Sequence, residues 1–233
     1  MLMKNYGIVL AAGKGKRMGS KISKQFLDLN GKPLFFYALE AFENSDVDSV
    51  IVVCSAEYKD YCENVLSIYK EEKTFSKVEK IVVGGAERYN SVYNALKEIS
   101  DADYVLIHDG ARPMITKDII NRSLTEVKKH KACVVAVPVK DTIKEADSED
   151  YINKTLDRSS LWQMQTPQSF EYKLIAQAYE NAMKSDLSAI TDDAMVLEMY
   201  NPSFKIKLVM GDYKNLKVTT SEDLEIAKVF LKS

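Results

Sequence analysis

Short runs rich in β-branched residues recur along the chain, at Tyr6 to Leu10, Val50 to Cys54, Val78 to Val83, Tyr104 to Ile107, Cys133 to Val137 and Lys205 to Val209. Runs of this length with little polar alternation predict strands that are mostly buried. Between them, Leu34 to Phe42, Lys59 to Tyr69, Tyr89 to Ile99 and Lys117 to Lys129 place apolar residues near helical spacing and predict amphipathic helices. Alternating strands and helices specify a largely parallel sheet with helices on both faces, and ligands bind beyond the carboxyl ends of its strands.

The alternation breaks between Lys140 and Thr166, where short alternating segments flank the polar turn Ala146 to Asp150. This predicts a β-hairpin or arm over residues 139–166, projecting from a single domain that spans the chain. Such an arm would expose Ile143, Tyr151, Ile152 and Leu156. Isolated two-stranded hairpins are marginal in water, so the arm calls for cover from a second subunit. Beyond it the pattern returns to a helix over Tyr172 to Met183, a helix opening at Thr191, a strand near Ile206 and a last helix opening at Thr220, where Thr220 and Asp223 fit a capping box.

Candidate chemistry sharpens this picture at the end of the first strand. Leu10 to Phe26, LAAGKGKRMGSKISKQF, joins three glycines to Lys14, Lys16, Arg17, Lys21 and Lys24. Glycine lets consecutive N–H groups approach phosphate oxygens and the cations neutralise them, so the segment reads as a triphosphate cradle. A dinucleotide fingerprint would need glycine at Met18, and the order of residues does not make a Walker A loop.

That segment resembles the signature of sugar-phosphate nucleotidyltransferases, specifically the 2-C-methyl-D-erythritol 4-phosphate cytidylyltransferases of the non-mevalonate isoprenoid pathway. GGAERYNSVYNAL at Gly84, HDGARP at His108, VPVKDTIK at Val137, LDRSSLWQMQTPQSF at Leu156, TDDA at Thr191 and NLKVTTSEDL at Asn215 are similar to blocks of the same family in the same order. The resemblance implies a Rossmann-like, three-layer nucleotidyltransferase fold with a mostly parallel mixed sheet. It also implies transfer of a cytidylyl group from CTP to methylerythritol phosphate with release of pyrophosphate. The rival readings are a ribitol 5-phosphate cytidylyltransferase, which shares the glycine loop and TPQSF, and a non-catalytic CTP-binding regulator.

Site roles follow block by block. Ala11, Ala12, Gly13 and Gly15 would cradle the nucleotide, and Gly84, Gly85 and Ser91 would read cytosine with backbone groups and a hydroxyl. Asp109, at the ligand edge of a strand, suits a ribose hydroxyl, the acceptor or a magnesium ion held mainly by phosphates, and Arg112 suits the acceptor. Arg17 and Lys24 would stabilise the transition state. Thr142 and Arg158 would, by resemblance, reach from the arm into a neighbouring subunit's site and hold the acceptor phosphate, whereas an unassisted reading of Arg158 is a surface ion pair with Asp157 or Asp141. Lys217 is similar to the family lysine that holds both phosphate groups, acting in catalysis and nucleotide binding. His108 reads as a hydrogen-bonded interior residue, and Asp192 and Asp193 as carboxylates opposing a helix dipole. Ser23 stands where the family usually has proline, and Ser221 departs from it similarly.

Composition adds limits. The 233 residues carry a formal charge of −2, with 46% hydrophobic and 28% charged residues, so bulk charge directs the protein to neither nucleic acid nor an anionic membrane. No apolar stretch approaches the roughly 20 residues of a membrane span, and the start is unlike a signal peptide, which gives a cytoplasmic expectation. Cys54, Cys62 and Cys133 lack metal or redox spacing and read as core residues.

Overall fold

The computed structural model describes residues 3–13, 23–71 and 74–231. Its elements, in chain order, are β1 (Asn5–Ala11), β2 (Asp28–Leu29), β3 (Lys32–Pro33), α1 (Leu34–Glu43), β4 (Ser49–Cys54), α2 (Lys59–Glu71), β5 (Val78–Val83), α3 (Arg88–Lys97), β6 (Tyr104–Asp109), α4 (Lys117–His130), β7 (Ala132–Pro138), β8 (Lys144–Ala146), β9 (Ile152–Thr155), β10 (Trp162–Glu171), α5 (Tyr172–Ala182), α6 (Asp193–Tyr200), β11 (Lys207–Met210) and α7 (Ser221–Phe230).

Seven strands form one sheet in the order β11-β7-β10-β6-β1-β4-β5. β1 pairs in parallel with β4 and β6, β4 with β5 and β11 with β7, while β10 runs antiparallel between β6 and β7. Because side chains alternate across a strand, each central strand serves two cores. Val9, Ala11, Val50, Val52 and Leu106 pack with Phe35, Leu39, Leu66, Ile120 and Leu124 from α1, α2 and α4. Ile8, Leu10, Ile51, Val53, Val105 and Ile107 face Val92, Leu96, Ile175, Tyr179 and Val196 from α3, α5 and α6. The three-layer α/β reading therefore holds, and the predicted strands and helices differ from the observed ones mainly at their ends.

The unforeseen element is β10. It is ten residues long and Gln165, Thr166, Gln168 and Ser169 within it are buried. The hairpin proper, β8 with β9, occupies Lys144 to Thr155, so the arm segment 139–166 joins this hairpin to the first residues of a sheet strand. Every residue of β9 is exposed, and Tyr151 and Ile152 each keep 68% of their surface.

Two predicted helix starts are realised with their caps. Thr220 accepts from the Asp223 N–H while Asp223 accepts from the Thr220 N–H, the expected capping box. Asp192 caps α6 by accepting from the Met195 N–H. Cys54, Cys62 and Cys133 are all buried, as core residues should be.

Candidate active site

The carboxyl ends of β1, β5 and β6 and the loops that follow them open onto a cleft of about 480 Å³. Ala12, Gly13, Lys24, Gln25, Gly85, Arg88, Ser91, Asp109 and Lys217 line it, so most of the predicted nucleotide residues converge. Ala11 is buried as the last residue of β1. Gly15 and Arg17 lie outside the described residues.

The loop before α3 is shaped by close backbone approach. A Cβ on Gly84 would stand 2.6 Å from the Ala12 Cβ and 2.7 Å from Ser91 Oγ, so this glycine lets the two cleft loops meet. Ser91 Oγ accepts from the Gly85 N–H at 3.1 Å and donates to the Glu87 carbonyl at 3.2 Å. Its hydroxyl proton is thus engaged by the chain itself, and Ser91 organises the loop that lines the cleft.

Asp109 is the electrostatic centre. Its Oδ1 accepts from Arg88 Nε at 3.0 Å and its Oδ2 pairs with Lys217 Nζ at 2.7 Å. Burial alone would raise its pKa, but Arg88, then Lys217 and Arg112, hold it far below the ordinary carboxylate range. Arg88 turns its other two nitrogens to Asp193, each at 2.8 Å, and Tyr179 donates to the same carboxylate at 2.6 Å. Burial opposes the Arg88 charge, yet Asp193 and Asp109 raise its pKa well above the ordinary value.

Asp193 is therefore more than a carboxylate at a helix start. It is fully buried, and its backbone N–H and that of Ala194 donate to Gln168 Oε1, whose amide donates to Asp192. The dipole reading stands for the capping Asp192 and is corrected for Asp193, which is the buried counter-ion of Arg88. Sequence reasoning missed Arg88; the available signal was an arginine opening a helix beside a glycine pair, next to Glu87, whose side chain is taken up by capping that helix.

A second, smaller cavity adjoins the first, lined by Arg88, Asp109, Arg112, Gln165, Thr166, Asp192 and Lys217 among others. Arg112 donates to the Asn215 carbonyl at 2.8 Å, while its buried Nε has no partner among the described residues. His108 is completely buried; one ring nitrogen lies 2.9 Å from Thr166 Oγ1 and the other 3.3 Å from the Arg112 carbonyl. Burial pushes its pKa down to about 4, which keeps the imidazole neutral and matches the interior role expected of it.

Lys24 sits in a single 3-10 turn, Lys24–Phe26, and is buried against the cleft. Ser23, at the position expected to favour proline, uses an N–H that proline lacks: it donates to the Tyr58 hydroxyl at 3.2 Å. Thr142 and Arg158 are exposed and line neither cavity. Arg158 donates to the Lys140 carbonyl at 2.8 Å, so the surface ion pair with Asp157 or Asp141 gives way to a backbone contact.

As a metal site, the cleft is lined by two carboxylates, Asp109 and the helix-capping Glu87, and among the described residues no three His, Cys, Asp or Glu side chains cluster to hold an ion. That donor set fits a magnesium ion held chiefly by substrate phosphates.

Comparison with known proteins agrees with this geometry. A family model described as 2-C-methyl-D-erythritol 4-phosphate cytidylyltransferase matches residues 6–233. The chain is 50% identical over 230 residues to a protein of that name from Lachnospira eligens, covering 98% of this chain and 99% of the relative. It is 47% identical to one from Lachnoclostridium phytofermentans, covering 97% and 95%. Among solved structures it resembles the 4-diphosphocytidyl-2C-methyl-D-erythritol synthase of Anaerococcus prevotii, with a TM-score of 0.85, 29% identity and 99% of each chain covered. The 2-C-methyl-D-erythritol 4-phosphate cytidylyltransferase of Francisella tularensis follows at 0.78 and 32%, covering 97% of this chain and 99% of that one.

Proposed function

Because the chain belongs to the 2-C-methyl-D-erythritol 4-phosphate cytidylyltransferase family and transfers the cytidylyl group of CTP to that acceptor, we propose that the cleft performs the transfer by direct in-line attack. An oxygen of the acceptor phosphate attacks the α-phosphorus of CTP, 4-diphosphocytidyl-2-C-methyl-D-erythritol forms, and pyrophosphate leaves from the opposite side. The observation that carries the assignment of residues is the convergence of Lys24, Arg88, Asp109 and Lys217 on one cleft beside the glycine loops.

The acceptor phosphate is already anionic near neutral pH, so no general base is required. The protein has to position two polyanions and neutralise developing charge. Lys24, with Arg17, supplies positive charge at the α-phosphate and the leaving oxygen. Gly84, Gly85 and the loop organised by Ser91 form the floor for cytosine. Arg88, fixed by Asp193, holds Asp109 as an anion for the ribose or a divalent cation. Magnesium, when bound, supplies further neutralisation of the triphosphate, with Asp109 as its protein ligand. The Lys217 side chain keeps 37% of its surface, so its pairing with Asp109 is weak enough to be exchanged for phosphate when substrates enter. Arg112 faces the adjoining cavity, which suits the acceptor.

Thr142 and Arg158 stand outside both cavities of their own chain, and the arm exposes Tyr151 and Ile152. This supports a homodimer in which each arm completes the partner's acceptor site. The described helices include none long and apolar enough to cross a membrane, and a cytoplasmic enzyme is the reading that accords with this and with its charged, water-borne substrates.

Pyrophosphate release from CTP and magnesium, with methylerythritol phosphate and ribitol 5-phosphate assayed side by side, tests the whole reading. Activity confined to the former is expected; activity with ribitol phosphate would replace the acceptor, and silence with both would favour a CTP-binding regulator. Lys24→Ala should lower kcat by about 10²–10³, the usual effect of removing one preorganised electrostatic group, and an unchanged kcat would remove Lys24 from the mechanism.

A further inference from the structure

We infer that Tyr58 is a positioning residue for Lys24, gripping the turn that carries the ammonium from both sides. This rests on the catalytic reading of Lys24 given above. Lys24, Gln25 and Phe26 form one 3-10 turn with no side-chain cap, closed by the Phe26 N–H to Ser23 carbonyl bond at 2.9 Å and the Leu27 N–H to Lys24 carbonyl bond at 3.2 Å. A single such turn has poor hydrogen-bond geometry and little stability of its own. Whatever holds the residues flanking Lys24 therefore helps to place it.

Both flanks lead to Tyr58. On one side the Ser23 N–H donates to the Tyr58 hydroxyl at 3.2 Å. On the other the Phe26 ring lies on the Tyr58 ring, with centroids 4.1 Å apart and planes 12° from parallel. Tyr61 meets Phe26 edge-on at 5.7 Å, and the buried Phe35 of α1 packs at 5.1 Å. Tyr58 itself ends a short turn, Ala56–Tyr58, that follows directly from β4, a central strand whose Val50 to Cys54 are all buried. A rigid strand end is thus connected through one side chain to the two residues that bracket Lys24. Misplacing a reacting or charge-stabilising group by about an ångström can cost on the order of 10²-fold in rate, so such a clamp acts on chemistry as well as on packing.

The backbone supplies a clean test. Ser23 has φ −58° and ψ 133°, values that a proline ring accommodates, so Ser23→Pro deletes the donor while retaining the local chain path. Tyr58→Phe deletes the acceptor and keeps the ring stack. In the Ser23 chain, Tyr58→Phe should lower kcat about fivefold, the equivalent of one lost neutral hydrogen bond, with a smaller change in the KM for CTP. In the Ser23→Pro chain, where no donor remains, the same substitution should change kcat less than about twofold. Tyr58→Leu, which also removes the stack, should lower it further than Tyr58→Phe.

All rates are taken at a temperature where circular dichroism shows each variant folded. Equal losses in both Ser23 backgrounds, no loss in the Ser23 chain, or a loss that follows the folded fraction would overturn the inference. Lys24→Ala, assayed alongside, separates the two claims. If it abolishes turnover while Tyr58→Phe does nothing, the clamp alone is wrong; if it leaves kcat intact, the catalytic reading and the clamp fall together.

Discussion

The wall that carries Asp109 and the arm that carries Arg158 are both rich in charge, and they differ in what their charges touch. Asp109, Arg88 and Asp193 form a continuous chain of ion pairs at 2.7–3.0 Å, with Tyr179 and Lys217 at its ends. Arg158 is exposed and donates to the Lys140 carbonyl, and Thr142 is likewise exposed. The wall is complete within one chain. The arm has the residues to bind a phosphate, but it does not bring them to a cavity in its own chain. The difference teaches that preorganisation here is uneven: the charges of the wall are fixed by folding, whereas those of the arm stay exposed in the single chain, as the proposed dimer would require.

The largest effect that would break this comparison is expected at the wall. Asp193→Ala removes the buried carboxylate that takes two of the Arg88 nitrogens, leaving Arg88 with Asp109 alone, and deprives the Tyr179 hydroxyl of its acceptor. Breaking a buried pair by deleting one partner costs about 3–5 kcal/mol, so urea unfolding should show a loss of that order. Arg158→Ala, by contrast, should leave the unfolding free energy within about 0.5 kcal/mol of the parent. A small loss for Asp193→Ala would show that the wall is not locked by its ion pairs.

Next in size is the arm's effect on activity. Arg158→Ala should lower turnover by about 10²-fold with the unfolding midpoint unchanged, as expected when a phosphate-directed group is removed. Mixing Arg158→Ala chains with Lys24→Ala chains sharpens the point. In a dimer whose arms cross, one site of each mixed dimer inherits both defects and the other is intact. Random re-association should then restore about a quarter of the parental activity. No recovery on mixing would place Arg158 in its own chain's site and remove the division between the two regions.

The two regions were also unequally legible in the sequence. The glycine loops, Asp109 and the flanking strands could be read because buried parallel strands are continuous apolar runs and glycine marks close backbone approach. β10 could not, since WQMQTPQSFE has too few consecutive apolar residues to announce a central strand. Its polar side chains are buried because each finds a partner: Gln165 donates to the Asp212 carbonyl, Thr166 lies beside His108, Gln168 accepts from two N–H groups opening α6, and Ser169 meets Ser123. Hydropathy cannot see hydrogen bonds to residues far away in sequence. Arg88 was missed for the same reason, since Asp193 lies 105 positions away. The arm was legible as a break in pattern, but its end was not, because Trp162 to Thr166 reads like hairpin and pairs as sheet.

His108 allows the locked interior beneath the wall to be examined by pH alone. Its folded pKa is depressed from 6.5 to about 4, chiefly by burial, so between these values the unfolded chain binds the proton that the folded chain excludes. Its contribution to stability is therefore complete above about pH 6.5, declines as pH falls toward 4, and amounts to about 3 kcal/mol over the full window. Asp109 acts in a different range, since its depressed pKa withdraws stability only as pH falls below the ordinary carboxylate value of 3.8. His108→Gln retains hydrogen-bonding capacity toward Thr166 and the Arg112 carbonyl but cannot titrate. Urea midpoints measured from pH 4 to 7 should rise less steeply for His108→Gln than for the parent, with the curves running parallel above pH 6.5. Identical slopes across the acidic window would mean that water reaches His108 in the folded chain, and the interior under Asp109 would then be less closed than the wall above it requires.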